Sequence, residues 1–246
     1  MVDASASSAG TEVGVTVTSV CNGAELCDEL RSSEVSTFAT TYQGDPPSRQ
    51  IASVPGFRLI ADMSPLTVGH LLLLPEDHYL SFGHLDDVQS DHAHAIVRVL
   101  RPIYVATFGQ MAVLEHGSSS ELPSACITHA HWHFLPVDGA RAAHLMACDG
   151  LAGIELSDFT GLRRFATADR PYYYCGDGSM HIAFDAERRI RSQYLRSVVG
   201  AMLGMADPEW DWSVVIRKNL LRATMIATQG WQARIVSSLS APPLQG

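Results

Sequence analysis

The chain has 246 residues, of which 46% are apolar and 17% charged; this composition excludes a mainly disordered protein and suits one large domain or a core with an appendage. Acidic residues outnumber basic ones by 26 to 17, and the net charge of −9 argues against a nucleic-acid-binding protein. The lone lysine, Lys218, follows no glycine-rich loop, which excludes a phosphate-binding P-loop and argues against Schiff-base chemistry.

The sequence predicts neither secretion nor membrane insertion. Residues 1–14 are small and polar, with neither a basic nor an apolar region, and we expect them to be disordered. No apolar run approaches the roughly 18 residues of a membrane span. We therefore expect a cytoplasmic protein with no membrane partner. The cysteines are odd in number and mostly far apart, which predicts free thiols: Cys21, Cys27, Cys126, Cys148 and Cys175.

The first part of the chain, residues 15–149, alternates strand and helix patterns. Asp86 or Asp87 is a suitable N-cap for a helix from Val88 to Gly109, where apolar residues recur at helical spacing. The order strand, strand, helix, strand, strand predicts an α+β fold with a mostly antiparallel sheet and helices packed on it. The predicted strands are 57–62, 68–75, 111–114 and 125–137.

Residues 150–236 have a different pattern and predict a C-terminal extension that packs on the first domain. No counterpart of the histidine-rich strand occurs there, so the extension is not a second copy of the core. The basic residues around Arg196 are expected on a solvated helix face; the alternative is a cluster that faces the histidine-rich strand and holds a phosphate or an acidic leaving group. The predicted elements are a helix at 156–165, a hairpin of 171–175 and 180–184, helices at 188–203 and 212–228, and a frayed tail at 237–246.

Three histidines alternate with apolar residues in the segment 128–136. Because side chains alternate between the faces of a strand, we expect His129, His131 and His133 on one face and their neighbours in the core. Histidines two apart on a strand are good metal ligands. Imidazole is also a nucleophile and a general acid or base near neutral pH. Both interpretations fit this pattern.

This segment resembles the signature of the histidine triad superfamily of nucleotide hydrolases and transferases, His-φ-His-φ-His-φ-φ with φ apolar, at every position from His129 to Leu135. Two further segments resemble the same superfamily. Residues 60–78 are similar to its strand-turn-strand unit that ends in Pro-x-x-His, and residues 115–117 to the loop before the triad strand. The resemblance covers residues 50–137.

The resemblance implies a role for each matching position. His131 corresponds to the nucleophile that attacks the α-phosphorus, and His133 to the residue that contacts the phosphoryl and bridging atoms. His129 and His70 are expected to support the site. The residues implied in substrate binding are Asp62, at the ribose hydroxyls, and Glu115, Gly117 and Cys126, around the phosphate.

The function implied is a nucleotide hydrolase that cleaves a nucleoside monophosphate derivative through a nucleotidyl-histidine intermediate, without a cofactor and as a homodimer. His133 favours hydrolysis, since many transferases of the superfamily carry glutamine there. The alternatives are a nucleotidyltransferase or phosphorylase of the same fold, a non-catalytic nucleotide-binding module, and a zinc-dependent enzyme or binding protein that uses the three histidines as ligands.

Zinc is a separate question, because some relatives bind it through two cysteines, the histidine after Pro-x-x and the first triad histidine. The corresponding residues here are Cys21, Cys27, His78 and His129. The cysteines are six apart and do not form a tight Cys-x-x-Cys, so we predict no metal.

Overall fold

The computed structural model describes residues 24–31, 36–120, 128–186, 193–206 and 216–241. Its described strands form one sheet of eight in the order β1-β2-β3-β5-β4-β7-β8-β6, and every neighbouring pair is antiparallel. The strands are β1 (Gln50–Val54), β2 (Phe57–Ala61), β3 (Leu71–Pro75), β4 (Ala112–Gly117), β5 (Trp132–Leu135), β6 (Gly153–Glu155), β7 (Tyr172–Gly176) and β8 (His181–Asp185).

Helices cover both faces of this sheet. The longest, α3, begins where the Asp86 carboxylate accepts the backbone N–H of Gln89 and ends at Gly109, whose φ of 94° favours glycine. The helices are α1 (Glu25–Arg31), α2 (Thr37–Tyr42), α3 (Asp87–Phe108), α4 (Gly139–Cys148), α5 (Arg163–Thr167), α6 (Tyr194–Met202), α7 (Lys218–Ala227) and α8 (Trp231–Ser240). Short 3-10 turns occupy Phe82–His84 and Phe159–Leu162. Among the described residues, no helix is both long and apolar enough to cross a membrane.

The two faces of the sheet bury different apolar clusters. One face carries the large core, which includes Trp132 and Phe134 of β5 together with residues of α3 and α8. The opposite face carries two smaller clusters, one under α1 and one under α4 and α6. His133 lies between these two, because its strand neighbours are Leu72 of the α1 cluster and Leu114 of the α4–α6 cluster. His133 therefore separates two apolar patches on one face of the sheet.

The predicted α+β class and antiparallel sheet are confirmed, as are the central helix and the hairpin now seen as β7 and β8. Four details differ. Within the described residues, the strand predicted at 125–137 is only Trp132–Leu135, so His129 and His131 precede it. The hairpin extends the sheet itself, because β7 pairs with β4, so no boundary in the sheet coincides with residue 150. The region predicted as a helix from residue 156 holds a 3-10 turn and the short α5, with the edge strand β6 just before it. The prediction of a frayed tail from residue 237 is wrong up to Ser240, because α8 continues to that residue and buries Trp231 and Ile235 against the core.

Other predictions fall partly or wholly outside the described residues. These include the disordered residues 1–14, the thiols Cys21 and Cys126, and the start of the helix from residue 212, whose described part is α7. The division into a catalytic domain and an extension stays a prediction.

Candidate active site

The histidine segment enters the sheet at its centre. Strand β5 begins at Trp132, so His129 and His131 lie just before it and His133 within it. Ala130, Trp132 and Phe134 are buried in the large core, as the alternation predicts. The rings of His131 and His133 lie edge to face, with their centroids 4.8 Å apart. The two residues are 7% and 9% exposed, so both are largely buried.

His131 is held in one tautomer by the backbone. Its Nδ1 atom lies 2.7 Å from the carbonyl oxygen of His129. A carbonyl oxygen only accepts hydrogen bonds, so Nδ1 carries the proton and Nε2 keeps its lone pair. Burial lowers the pKa of His131, which favours the neutral ring at neutral pH. The arrangement leaves His131 with a nucleophilic Nε2 atom.

The neighbouring His133 has the opposite tautomer, set by His70. The backbone N–H of Leu66 donates to Nδ1 of His70 at 3.2 Å, so the His70 proton is on Nε2. That Nε2–H donates to Nδ1 of His133 at 2.9 Å, which places the remaining proton of His133 on its own Nε2. Burial lowers the pKa of His70 to about 4 and the pKa of His133 well below its ordinary value. A lone pair on His131 thus lies beside an N–H donor on His133.

Asp62 adds a negative charge to the same face. Its Oδ1 atom accepts the backbone N–H of Ser64 at 2.8 Å, and its Oδ2 atom lies 3.2 Å from Nη1 of Arg196 and 3.7 Å from Nε2 of His70. Burial alone would raise the pKa of Asp62, but His70, the charges of Arg196 and Arg49, and the Ser64 N–H lower it to about 2. The carboxylate is therefore ionised throughout the physiological pH range.

His129 points away from the other two triad rings. Its Nε2–H donates to the carbonyl oxygen of Pro75 at 2.8 Å, so its Nδ1 carries a lone pair. That atom lies 3.0 Å from Sγ of Cys27, which in turn is 3.1 Å from Nδ1 of His78. We call these three residues the Cys27 cluster. Their ligand atoms all lie within 4.8 Å of one another.

The Cys27 cluster fits a metal ion in its donor chemistry. A thiol and two imidazoles are the ligands of structural zinc sites, and the lone pair of His129 is already directed at the sulfur. A surface cleft of about 420 Å³, lined in part by Cys27 and His78, gives access. The fourth candidate, Cys21, lies outside the described residues. A metal bound here would fix His129, whose carbonyl oxygen orients His131.

The three triad histidines do not form one ligand set in the described part of the chain. His129 belongs to the Cys27 cluster, whereas His133 groups with Asp62 and His70. The zinc alternative in which all three triad rings bind the same ion is therefore not supported by their placement.

The structure does not bring Glu115 to the triad. Glu115 lies on the opposite face of the sheet, where its carboxylate accepts hydrogen bonds from Phe82 N, Trp132 Nε1 and the Tyr172 hydroxyl at 2.7, 3.1 and 2.8 Å. The resemblance placed it at the phosphate, but residue alternation along β4 turns its side chain into the large core.

The two remaining phosphate-site candidates are a glycine and a cysteine. Gly117, at the end of β4, allows the ring of Tyr172 to pack on its backbone: a Cβ atom there would lie 2.3 Å from the ring. Cys126 lies outside the described residues.

Two residues near the triad were not predicted. His116, between Glu115 and Gly117, faces the triad side and accepts the backbone N–H of Leu195 at its Nε2 atom, at 3.1 Å. Arg196, expected on a solvated face, pairs with Asp62 instead. Alternation along β4 could have indicated His116, but nothing in the local sequence links α6 to residue 62.

The chain is similar to several solved structures of other proteins. No protein-family model and no curated protein match the chain. Solved structures do. One is a hypothetical histidine triad nucleotide-binding protein from Sulfolobus tokodaii, which is 18% identical to this chain. The match covers 68% of that protein and 41% of this chain, with a TM-score of 0.33. A HIT family hydrolase from Clostridium thermocellum is 13% identical, with coverages of 91% and 47% and a TM-score of 0.33.

A zinc-bound histidine triad family protein from Mycobacterium smegmatis is 18% identical, with coverages of 94% and 56% and a TM-score of 0.33. All three descriptions name the superfamily that the motif from His129 to Leu135 resembles. At these identities and scores the function has to be argued from the site, and about half of this chain has no counterpart in them.

Proposed function

We propose that this protein is a nucleotide hydrolase in which His131 attacks the α-phosphorus of a nucleoside monophosphate derivative. The observation that carries the proposal is the pair of opposite tautomers: Nε2 of His131 holds a lone pair, and Nε2 of His133 holds a proton. A nucleophile and a hydrogen-bond donor for the attacked group are thus adjacent.

The first step forms a bond between Nε2 of His131 and phosphorus. The bond from phosphorus to the leaving group breaks, and that group departs with the electron pair and takes a proton from solvent. Attack leaves the imidazole positively charged, and the hydrogen bond from its Nδ1 to the His129 carbonyl oxygen strengthens as that charge develops. The Nε2–H of His133 donates to a phosphoryl or bridging oxygen.

The second step returns His131 to its neutral form. Water attacks phosphorus, the bond to Nε2 breaks, and the nucleoside monophosphate is released with the proton lost to solvent. His70 keeps the His133 donor on the correct nitrogen throughout, because the Leu66 N–H fixes the His70 tautomer. The site therefore has a hydrogen-bond donor for the phosphoryl oxygens without a lysine.

Hydrolysis and transfer share the first step and differ in the acceptor. Histidine at position 133 favours hydrolysis by resemblance, and a phosphorylase of the same fold remains the alternative. Product analysis with and without inorganic phosphate distinguishes them: a hydrolase gives nucleoside monophosphate in both, whereas a phosphorylase gives nucleoside diphosphate when phosphate is present. We further propose a homodimer, which sedimentation velocity tests.

The direct test uses His131→Asn, which preserves a polar side chain but removes the nucleophile. An adenosine 5′-phosphoramidate, a dinucleoside polyphosphate and a nucleotide sugar are offered to both proteins. We expect the variant to lose at least about 10³-fold in kcat/KM on whichever substrate is cleaved. Rapid denaturation during turnover should show one nucleotidyl group attached to the wild-type chain and none on the variant. Cleavage by His131→Asn at the wild-type rate contradicts the proposal.

A further inference from the structure

The carboxylate of Asp62 is already bound by a cation from another part of the chain. Nη1 of Arg196 lies 3.2 Å from Oδ2, and Nη2 of the same guanidinium donates to the carbonyl oxygen of Ser64. The side chains of Arg196 and Asp62 are 13% and 10% exposed. The guanidinium therefore bridges two acceptors of one turn in a largely buried setting.

The backbone of α6 holds Arg196 in this position. The N–H of Leu195, the preceding residue, donates to His116, and the hydroxyl of Tyr194 donates to Asp149 at 2.8 Å. Tyr194, Leu195 and Val198 are buried in the α4–α6 cluster. Because these contacts fix the first turn of α6 against the sheet, the pairing with Asp62 does not depend on a freely moving surface side chain.

Both oxygens of Asp62 have further neighbours. Oδ1 accepts the N–H of Ser64, and Nε2 of the fully buried His70 lies 3.7 Å from Oδ2. A ribose hydroxyl that reached Oδ2 would have to share it with, or displace, an ionic donor. A hydroxyl and a guanidinium both donate to the carboxylate, but only the guanidinium adds the attraction of an opposite charge, and breaking a buried ion pair leaves a charge uncompensated.

This inference rests on the proposed function. We propose that Arg196 takes the position beside Asp62 that a ribose hydroxyl would otherwise occupy, and that Arg196 is a residue that determines specificity for the sugar. Nucleotides are then bound without recognition of their 2′- and 3′-hydroxyls through Asp62. The substrate class accordingly includes nucleotides whose sugar lacks these hydroxyls, and the C-terminal part of the chain sets this tolerance. The charge of Arg196 also lowers the pKa values of Asp62, His70 and His131, consistent with its closeness to the reacting groups.

The test measures binding, not turnover. Isothermal titration with the four common nucleoside 5′-monophosphates first identifies the preferred base. The 2′-deoxy and 2′,3′-dideoxy forms of that nucleotide are then compared with the ribose form. We expect the three forms to bind wild-type protein within about threefold of one another. In Arg196→Gln the carboxylate becomes available, and the ribose form should gain a preference of about tenfold or more over the dideoxy form.

Two further variants keep the result interpretable. Arg196→Lys retains a cation and should retain the wild-type tolerance, which guards against a simple folding defect. Arg163→Gln is a matched control, because Arg163 also bridges a carbonyl oxygen and a carboxylate, those of Leu85 and Asp87, but at an exposed position. It should leave the binding of all three forms unchanged.

The outcomes separate the two proposals. A strong ribose preference in wild-type protein, or an Arg196→Gln variant that gains none, overturns the role of Arg196 but leaves hydrolysis through His131 intact. Failure of every nucleotide to bind wild-type protein contradicts the proposed function, and the role of Arg196 is then rejected with it. Equal binding in wild type followed by a gained preference in Arg196→Gln supports both.

Discussion

Glu115 provides a quantitative test of how the sheet around the triad strand is held together. Its carboxylate is fully buried and joins three elements, since it accepts hydrogen bonds from Phe82, from Trp132 of β5 and from Tyr172 of β7. Burial raises the pKa of Glu115 from its ordinary 4.5 to about 7, although its three hydrogen-bond donors act in the opposite direction.

The sign of the pH effect follows from this shift. A carboxyl group whose pKa is higher in the folded state binds its proton more tightly there, so its contribution to stability falls as pH rises from about 4.5 to about 7. With about 1.4 kcal/mol for each pH unit between the two pKa values, ionising folded Glu115 costs about 3 kcal/mol. The buried histidines act oppositely: burial lowers the pKa values of His70, His129 and His131, so their contribution is lost as pH falls below 6.5.

A variant separates these opposing contributions. The side chain in Glu115→Gln is uncharged at every pH. Its amide group faces at least one of the three N–H and O–H donors that now bind Glu115, which lowers the unfolding free energy by about 1–3 kcal/mol at every pH. Urea unfolding of both proteins at pH 5, 6, 7 and 8 gives the difference in unfolding free energy. We expect wild type to lose about 2.5 kcal/mol relative to the variant between pH 5 and pH 8. A difference that stays constant within about 1 kcal/mol refutes the reasoning.

Three more predictions follow from the described geometry. The nucleophile must be neutral, and burial lowers the pKa of His131, so kcat/KM should stay level above pH 6.5 and decline only below it. If kcat/KM falls to half its maximum above pH 6.5, a group other than His131 controls the reaction. Gly117→Ala should lower the unfolding free energy by about 1–3 kcal/mol, measured in urea, because the buried Tyr172 ring has no room for a Cβ atom; unchanged stability contradicts this. Cobalt(II) added to the protein should give the absorption band of a thiolate ligand, and Cys27→Ser should abolish this band. The control variant Cys148→Ser should keep the band. A band that survives in Cys27→Ser rules out the Cys27 cluster as the site.

Local patterns were sufficient to predict the centre of the fold. The apolar runs of β2 and β3, the helix capped by Asp86 and the alternation around Trp132 each depend on neighbours in sequence, and the structure has all three. The short elements were missed for the converse reason. Strand β6 has three residues and depends on its pairing with β8, which no local pattern records.

The site shows the same division between local and distant information. The spacing of His129, His131 and His133 predicted one shared face, which holds for His131 and His133 but not for His129, whose ring contacts Cys27. The His131 tautomer is set by the nearby His129 carbonyl oxygen, whereas the His133 tautomer depends on a distant partner. The proton of His133 is placed by His70, 63 residues away, and the charge of Asp62 is balanced by Arg196, 134 residues away. Helix propensity and charge patterning left Arg196 either on a solvated face or facing the triad, and could not identify its partner, because Asp62 follows another strand.

This dependence has a consequence for the chemistry. A histidine motif specifies that imidazoles are present, whereas the reaction requires one ring with a lone pair beside another with a proton. Here the first condition is met by the His129 carbonyl oxygen and the second by the chain from Leu66 through His70 to His133. Substitutions that leave all three triad histidines in place, such as His70→Ala, should therefore reduce kcat by removing the donor that sets the His133 tautomer. If such a variant kept full activity over the whole pH range, the tautomer of His133 would not matter to the reaction.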